Sequence, residues 1–197
     1  VGDTVTYTIK GKVPEYAGFA TYTYLITDEM SAGLTFNKDV KVTVGGVDLA
    51  SDKFTLEYNV EDKANKFTVS IPVQKYKVGD LITVTYTATL NENAIAQISN
   101  NKATLTYSND PTKGTEYTTT PSQEQKVYSS KIMIDKYEKG SPNKKLSGAK
   151  FVLYKEETGS VKKYFSCDDT TKKVTWVDTI DQATVVTTGT DGVASFE

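Results

Sequence analysis

Short runs in which apolar residues alternate with threonine fill much of this 197-residue chain, and they leave few folds open to it. Val5, Tyr7 and Ile9 alternate with Thr4, Thr6 and Thr8. Ile82, Val84 and Tyr86 alternate with Thr83, Thr85 and Thr87. A period of two marks a strand that buries one face and wets the other. Val40, Val42 and Val44 make another such run, and Gly45-Gly46 after it predicts a tight hairpin turn. Phe54, Leu56 and Tyr58 predict a further strand, as do Phe67, Val69 and Ile71 before the stop at Pro72. The best helical candidate, Asn91 to Ala96, is only about one turn long. Regularly spaced short strands of this kind predict an all-β chain built from Ig-like sandwiches.

Residues 118–130 are rich in Thr, Ser and Gln, contain Pro121 and lack a sustained core pattern. A domain boundary near residue 126 is therefore expected, with one domain over 1–125 and a second over 126–197. The second restarts with Ile132 and Ile134 and continues through Phe151-Val152-Leu153-Tyr154, Val174-Thr175-Trp176-Val177 and Ala183 to Val186. At about seventy residues it is short for a complete sandwich and reads as truncated. Trp176 and the Tyr22/Tyr24 pair are expected to serve as core or cross-strand packing. The segment Thr-Val-Thr-Tyr-Thr occurs at 4–8 and again at 83–87, too short to establish a repeat.

Composition removes several function classes. A net charge of −2 with 24% charged residues and no basic block argues against nucleic acid or an anionic membrane surface as partner. No apolar run approaches the roughly 18 residues of a membrane span, and no signal peptide is visible. Val1-Gly2-Asp3 reads instead as the start of a strand in mid-protein. The single cysteine, Cys167, cannot form an intrachain disulfide. With no histidine in the chain, thiol-protease and Ser-His-Asp chemistry and the commonest zinc ligands are excluded. Asp168-Asp169 and Asp178/Asp181 lack the glycine and terminal Glu of a calcium loop and read as solvated loop. No constellation suggests a turnover enzyme, and no cofactor is expected.

Three polar residues stand out against the strand pattern. Asp28 shares parity with Tyr22, Tyr24 and Ile26; Asn101 with Ala103, Leu105 and Tyr107; Lys136 with Ile132 and Ile134. Each is therefore expected to point into a core, where Asp, Asn and Lys are expensive without partners or a purpose. The combination suggests a protein that crosslinks itself through Lys–Asn amide bonds. Plainer readings exist for each. Asp28 could cap the turn at Glu29-Met30-Ser31, Asn101 beside Asn100 could belong to a turn, and Lys136 could extend to solvent from a strand end.

A family resemblance sharpens these roles. Val1 to Ile9, Val13-Pro14, Ile26-Thr27-Asp28, Gly33-Leu34-Thr35-Phe36 and Leu90 to Ala94 followed by Asn101 resemble the central domain of Gram-positive backbone pilins. Ile134-Asp135-Lys136, Leu146 to Tyr154 and Thr187-Thr188 to Asp191-Gly192 look like the start of a CnaB-type domain. The resemblance implies sandwiches of the CnaA/CnaB type in tandem, stiffened by isopeptide bonds. It also implies a sortase-assembled shaft on the cell surface, with other pilin subunits and sortase as partners. A surface adhesin or tip pilin that binds a host ligand through the same stalk domains is the alternative. A pilin-motif lysine upstream and an LPXTG-like sorting signal downstream are also implied, and neither lies in this chain.

In the crosslink that the resemblance implies, a neutral lysine amine attacks the Asn carboxamide carbon and ammonia leaves. Burial lowers the lysine pKa and raises that of a neighbouring carboxylic acid, which can then polarise the carbonyl and move protons. Asn101 takes the acceptor role and Asp28 that of the acid, with Glu92 at a helix start as the less favoured competitor. Lys136 matches the reactive lysine of CnaB-type domains, with partners expected beyond Glu197. The lysine for Asn101 is expected upstream of Val1. Lys10, and likewise Lys12, shares parity with Thr4, Thr6 and Thr8, so either faces the site only if a β-bulge turns it inward.

Overall fold

A computed structural model describes residues 1–114 and 116–197. The described residues are all-β, with short 3-10 turns as the helical content. No helix among them is long and apolar enough to cross a membrane. They form two compact units. One comprises residues 4–93 and 98–127, the other residues 1–3, 94–97 and 128–197.

The first unit contains β1 (Thr4–Lys12), β2 (Tyr24–Met30), β3 (Leu34–Phe36), β4 (Lys41–Val44), β5 (Val47–Asp48), β6 (Thr55–Tyr58), β7 (Lys66–Ser70), β8 (Leu81–Leu90), β9 (Ile98–Ser108), β10 (Tyr117–Thr119) and β11 (Gln123–Tyr128). One sheet runs β1-β8-β4-β5, with β3 also pairing β8. The other runs β10-β9-β2-β7-β6, with β11 also pairing β9. The expected alternation is realised in β8, where Ile82, Val84, Tyr86, Ala88 and Leu90 are buried between half-exposed threonines. From the other sheet Tyr24, Ile26, Phe67 and Val69 are buried too. Phe67 meets the Tyr86 ring edge-on at 4.9 Å between centroids, and Phe36 stacks on Phe67 at 4.6 Å. The two Thr-Val-Thr-Tyr-Thr segments are neighbouring antiparallel strands, with Tyr7 opposite Tyr86 and their rings stacked at 5.4 Å.

Two glycine features fix local geometry. Gly45 and Gly46 both have positive φ, +61° and +83°, which a two-residue hairpin turn between β4 and β5 requires. Gly11 on β1 faces the other sheet so closely that an added Cβ would lie 2.2 Å from the Tyr24 hydroxyl.

The second unit contains β12 (Ile132–Asp135), β13 (Tyr137–Glu138), β14 (Ser141–Lys145), β15 (Lys150–Phe151), β16 (Tyr154–Glu157), β17 (Val161–Cys167), β18 (Val174–Val177), β19 (Val186–Thr187) and β20 (Val193–Phe196). β16-β17-β18 form a meander, and β12 pairs β20. Its buried apolar centre is small: Phe165, Ala194 and Phe196, with Phe165 and Phe196 edge-to-face at 5.5 Å.

Several local expectations are corrected. The turn of α-helix expected at 91–96 is a 3-10 turn over Glu92–Ala94, too short for helical propensity to decide its form. Tyr22 makes its aromatic contact with Phe19, edge-on at 4.9 Å, while Tyr24 lies opposite Tyr107 on β9. Tyr22 precedes β2, so its ring does not share the strand face on which Tyr24 meets β9. Of the two roles expected for Trp176 it takes the inter-strand one: it lies opposite Phe165 on β17 with the rings T-shaped at 6.1 Å, is 39% exposed, and has the Lys155 amine 5.1 Å from its ring centre.

Candidate functional site

β2 and β9 run side by side in register, with Asp28 opposite Ala103 and Met30 opposite Asn101. Residues two apart share a face, so Asp28 and Asn101 lie diagonally on the face that looks across to the other sheet. Asp28 is fully buried and Asn101 is 5% exposed. Asn100, adjacent in sequence, continues β9, with its N–H bonded to the Ser31 hydroxyl and its carbonyl accepting from the Ser31 N–H. The turn that Asn100-Asn101 also permitted is absent. Asp28 does not cap the following residues either, because Glu29 and Met30 remain in β2.

Tyr86 reaches the pair from the opposing sheet. Its hydroxyl donates to Asp28 Oδ2 at 2.5 Å. Asn101 Nδ2 donates to the same Asp28 oxygen at 3.1 Å and to the Tyr86 hydroxyl at 2.7 Å. The sequence reading missed Tyr86. The available signal was its position on the core face of β8, with a polar handle that needs a partner when buried. Three further polar atoms here are buried without a hydrogen-bond partner among the described residues: Asp28 Oδ1, Asn101 Oδ1 and the Tyr7 hydroxyl. Native interiors seldom leave such groups unpaired, so their clustering marks the place as unusual.

Electrostatics follow from burial. Loss of solvent pushes the Asp28 carboxyl up to about 7, and the hydrogen bonds from Tyr86 and Asn101 keep it from rising further. The Tyr86 hydroxyl is raised far above the ordinary tyrosine value by burial first, and then by the neighbouring Asp28 charge. Asp28 therefore exchanges its proton near neutrality while Tyr86 keeps its own. The Asn101 amide responds to this exchange. An ionised Asp28 accepts from Nδ2, the arrangement in the structure. A protonated Asp28 becomes a donor, and rotation of the amide by a half-turn brings Oδ1 to the place of Nδ2.

Beside the site lies a groove of about 650 Å³, with Tyr7, Tyr86, Asn101, Leu105 and Val127 among its lining. β1 bounds it and pairs only with β8 among the described residues, so the outer edge of β1 is open. Lys10 also borders the groove but is exposed. β1 pairs β8 in unbroken register from Thr4 opposite Thr89 to Lys12 opposite Leu81. The bulge that would turn Lys10 or Lys12 inward is absent, and both keep the outward parity of the threonines. Glu92, the alternative acid, is exposed. The one buried lysine among the described residues of this unit, Lys66, lies opposite Glu29, on the face away from Asp28, where Glu61 holds its amine at 2.6 Å.

Lys136 belongs to the second unit and follows β12. Its N–H donates to the Gly192 carbonyl at 2.8 Å and its carbonyl accepts from the Leu146 N–H at 3.0 Å. Its side chain is exposed, as is Ile132 on the parity that was expected to face a core. The structure thus brings together Asp28, Asn101 and Tyr86, and does not bring Lys10 or Glu92 to them. In the second unit Asp168 accepts from the N–H groups of Thr170 and Thr171, and Asp178 pairs with Lys163.

A buried acid–amide–tyrosine cluster thus lies between the two sheets of the first unit. Residues 1–121 match the family described as Gram-positive pilin backbone subunit 2, Cna-B-like domain, and the chain belongs to that family. Solved pilin structures share its fold. Domains D2 and D3 of the major pilin SpaD from Corynebacterium diphtheriae align with a TM-score of 0.68 at 25% identity, over 99% of this chain and 68% of that one. The full-length major pilin RrgB from Streptococcus pneumoniae aligns at 0.76 and 16% identity, over 100% of this chain and 59% of RrgB. The 35 kDa C-terminal fragment of the major pilin GBS80 of Streptococcus agalactiae aligns at 0.68 and 18%, over 100% of this chain and 72% of that fragment. The chain therefore spans about three-fifths of full-length RrgB. Comparison with curated proteins gives no match.

Proposed function

We propose that this chain is a segment of the shaft of an extracellular pilus, and that its first unit is stiffened by an amide bond between Asn101 and a lysine supplied from upstream of Val1. Family membership supports the shaft role, and with it polymerisation with other pilin subunits. Assembly by sortase and any host ligand extend that reading. The observation that carries the crosslink is the buried cluster itself, in which an acid titrating near neutrality touches a carboxamide beside an open strand edge. An extended segment laid along β1 would gain ladder hydrogen bonds and could lower a lysine into the groove. Burial would hold that amine neutral and nucleophilic.

Protonated Asp28 donates to Asn101 Oδ1 once the amide has turned, drawing electrons from the carbonyl carbon. The lysine nitrogen bonds to that carbon, the carbon–Nδ2 bond breaks, and Asp28 carries one proton from the attacking to the leaving nitrogen. Ammonia leaves and Asp28 ends as it began. The event happens once per molecule, so the protein is its own substrate. By the same reading Lys136 serves a second bond, with an acid and Asn beyond Glu197. The test is the intact mass of the full-length protein, in which each bond removes the mass of one ammonia. Asn101→Ala should restore one such loss and Lys136→Ala another. A deficit unchanged in Asn101→Ala would discard the Asn101 assignment.

A further inference from the structure

From the contacts of its hydroxyl, we propose that Tyr86 is a catalytic residue of the crosslinking reaction, acting as the second donor to the oxyanion that forms on Asn101. This rests on the crosslink proposed above and adds a group that the Lys–Asn–acid scheme does not contain. The hydroxyl and Asp28 Oδ2 stand 2.7 and 3.1 Å from the Asn101 amide atom that faces them. When Asp28 is protonated and the amide turns, that atom is Oδ1. Once Asp28 carries its own proton, the Tyr86 O–H turns from Asp28 Oδ2 to Oδ1, and two O–H groups converge on one carbonyl oxygen at the separations an oxyanion hole requires. A lone acid would leave that oxygen with one donor.

The electron count closes. The lysine lone pair forms the new bond to carbon, and the carbonyl π pair moves onto Oδ1 between the two O–H groups. When the π bond re-forms, the carbon–Nδ2 pair departs with the nitrogen, which takes the proton carried by Asp28. Tyr86 keeps its proton throughout. Its ring is held by Tyr7, Phe36 and Phe67, so the hydroxyl is aimed before the reaction begins. The titratable groups that face one another here are Asp28 from β2, Tyr7 from β1 and Tyr86 from β8. β7 and β9 contribute uncharged Phe67 and Asn101.

The experiment follows ammonia loss by mass in freshly synthesised full-length protein, as a function of time and pH. Tyr86→Phe keeps the ring and removes one donor, and bond formation should slow by about 100- to 1,000-fold. It also removes a hydrogen bond that favours the Asp28 carboxylate, so the fall in rate at high pH should move to higher pH. That shift reports the hydrogen bond to Asp28, whereas the fall in rate on the pH-independent part of the profile reports donation to the oxyanion. A ring-fluorinated tyrosine placed at position 86 keeps the hydroxyl and the fold but makes a stronger donor, and the rate should rise. Wild-type rate and pH profile in Tyr86→Phe, or no change with the fluorinated residue, would overturn the role of Tyr86. Absence of ammonia loss in the wild-type protein would instead overturn the crosslink.

Discussion

At the scale of single residues, Asp28 has a cost that pH exposes. Its folded carboxyl titrates near 7 against an ordinary 3.8, because burial disfavours the charge. Below the unfolded value both states are protonated and the fold suffers no penalty. As pH rises from there, the unfolded chain ionises first and stability falls until the folded group ionises too. In the 197-residue chain without a crosslink, the total loss between about pH 4 and pH 7 should be on the order of 4 kcal/mol. Urea unfolding across this window should show the slope in wild type and lose it in Asp28→Asn, which would be the more stable form at pH 7. Equal pH dependence in the two proteins would contradict the burial argument. Tyr7 supplies a contrasting case. Its buried hydroxyl has no partner among the described residues, so Tyr7→Phe forfeits no hydrogen bond while keeping the stack on Tyr86. Denaturation should find it within about 1 kcal/mol of wild type, on the stabilising side. A loss beyond that would reveal a partner for the hydroxyl.

At the scale of elements, the period-two pattern carried most of the information. β1, β4 and β8 were readable because each buries one face and wets the other, and that asymmetry is written in alternate residues. The same parity placed Asp28 and Asn101 inward. It could not say which strand would sit opposite them, since pairing across sheets depends on topology that a local pattern does not encode. For that reason Tyr86 was missed and the two Thr-Val-Thr-Tyr-Thr segments were not recognised as neighbours. In the second unit the pattern misled. Ile132 has an apolar surface that a strand rule sends inward, yet it is 49% exposed. Gly11 tests how tightly the sheets of the first unit meet. A methyl group there would intrude on the Tyr24 hydroxyl, and Gly11→Ala should cost about 1–3 kcal/mol in overpacking. Adding Tyr24→Phe removes the obstructing oxygen and should recover much of the loss. Simple additivity of the two changes would show that the contact is not what Gly11 relieves.

At the scale of the whole molecule, the first unit resembles a sandwich held at a cost, with a buried acid, a buried amide and an open strand edge in one place. Local rules disfavour each of these, and such conflicts tend to sit where function is. A covalent tie gives them a common purpose. If the lysine lies just upstream of Val1, the bond to Asn101 closes a loop of about 100 residues, and by analogy with a disulfide it should stabilise the fold by roughly 4–5 kcal/mol, chiefly by restricting the unfolded chain. For a unit of this size that corresponds to a rise in melting temperature on the order of 20 °C. Full-length protein and its Asn101→Ala variant should differ by that amount in calorimetry, and the difference should vanish in an Asp28→Ala background, where the bond does not form. The native fold without the bond should still assemble in Asn101→Ala, because the strands and their apolar faces are intact. Coincident melting of the full-length protein and Asn101→Ala, with one ammonia loss present in the first and missing from the second, would mean that the bond closes too short a loop to matter. Its lysine would then have to be sought near Asn101 in sequence and not upstream of β1.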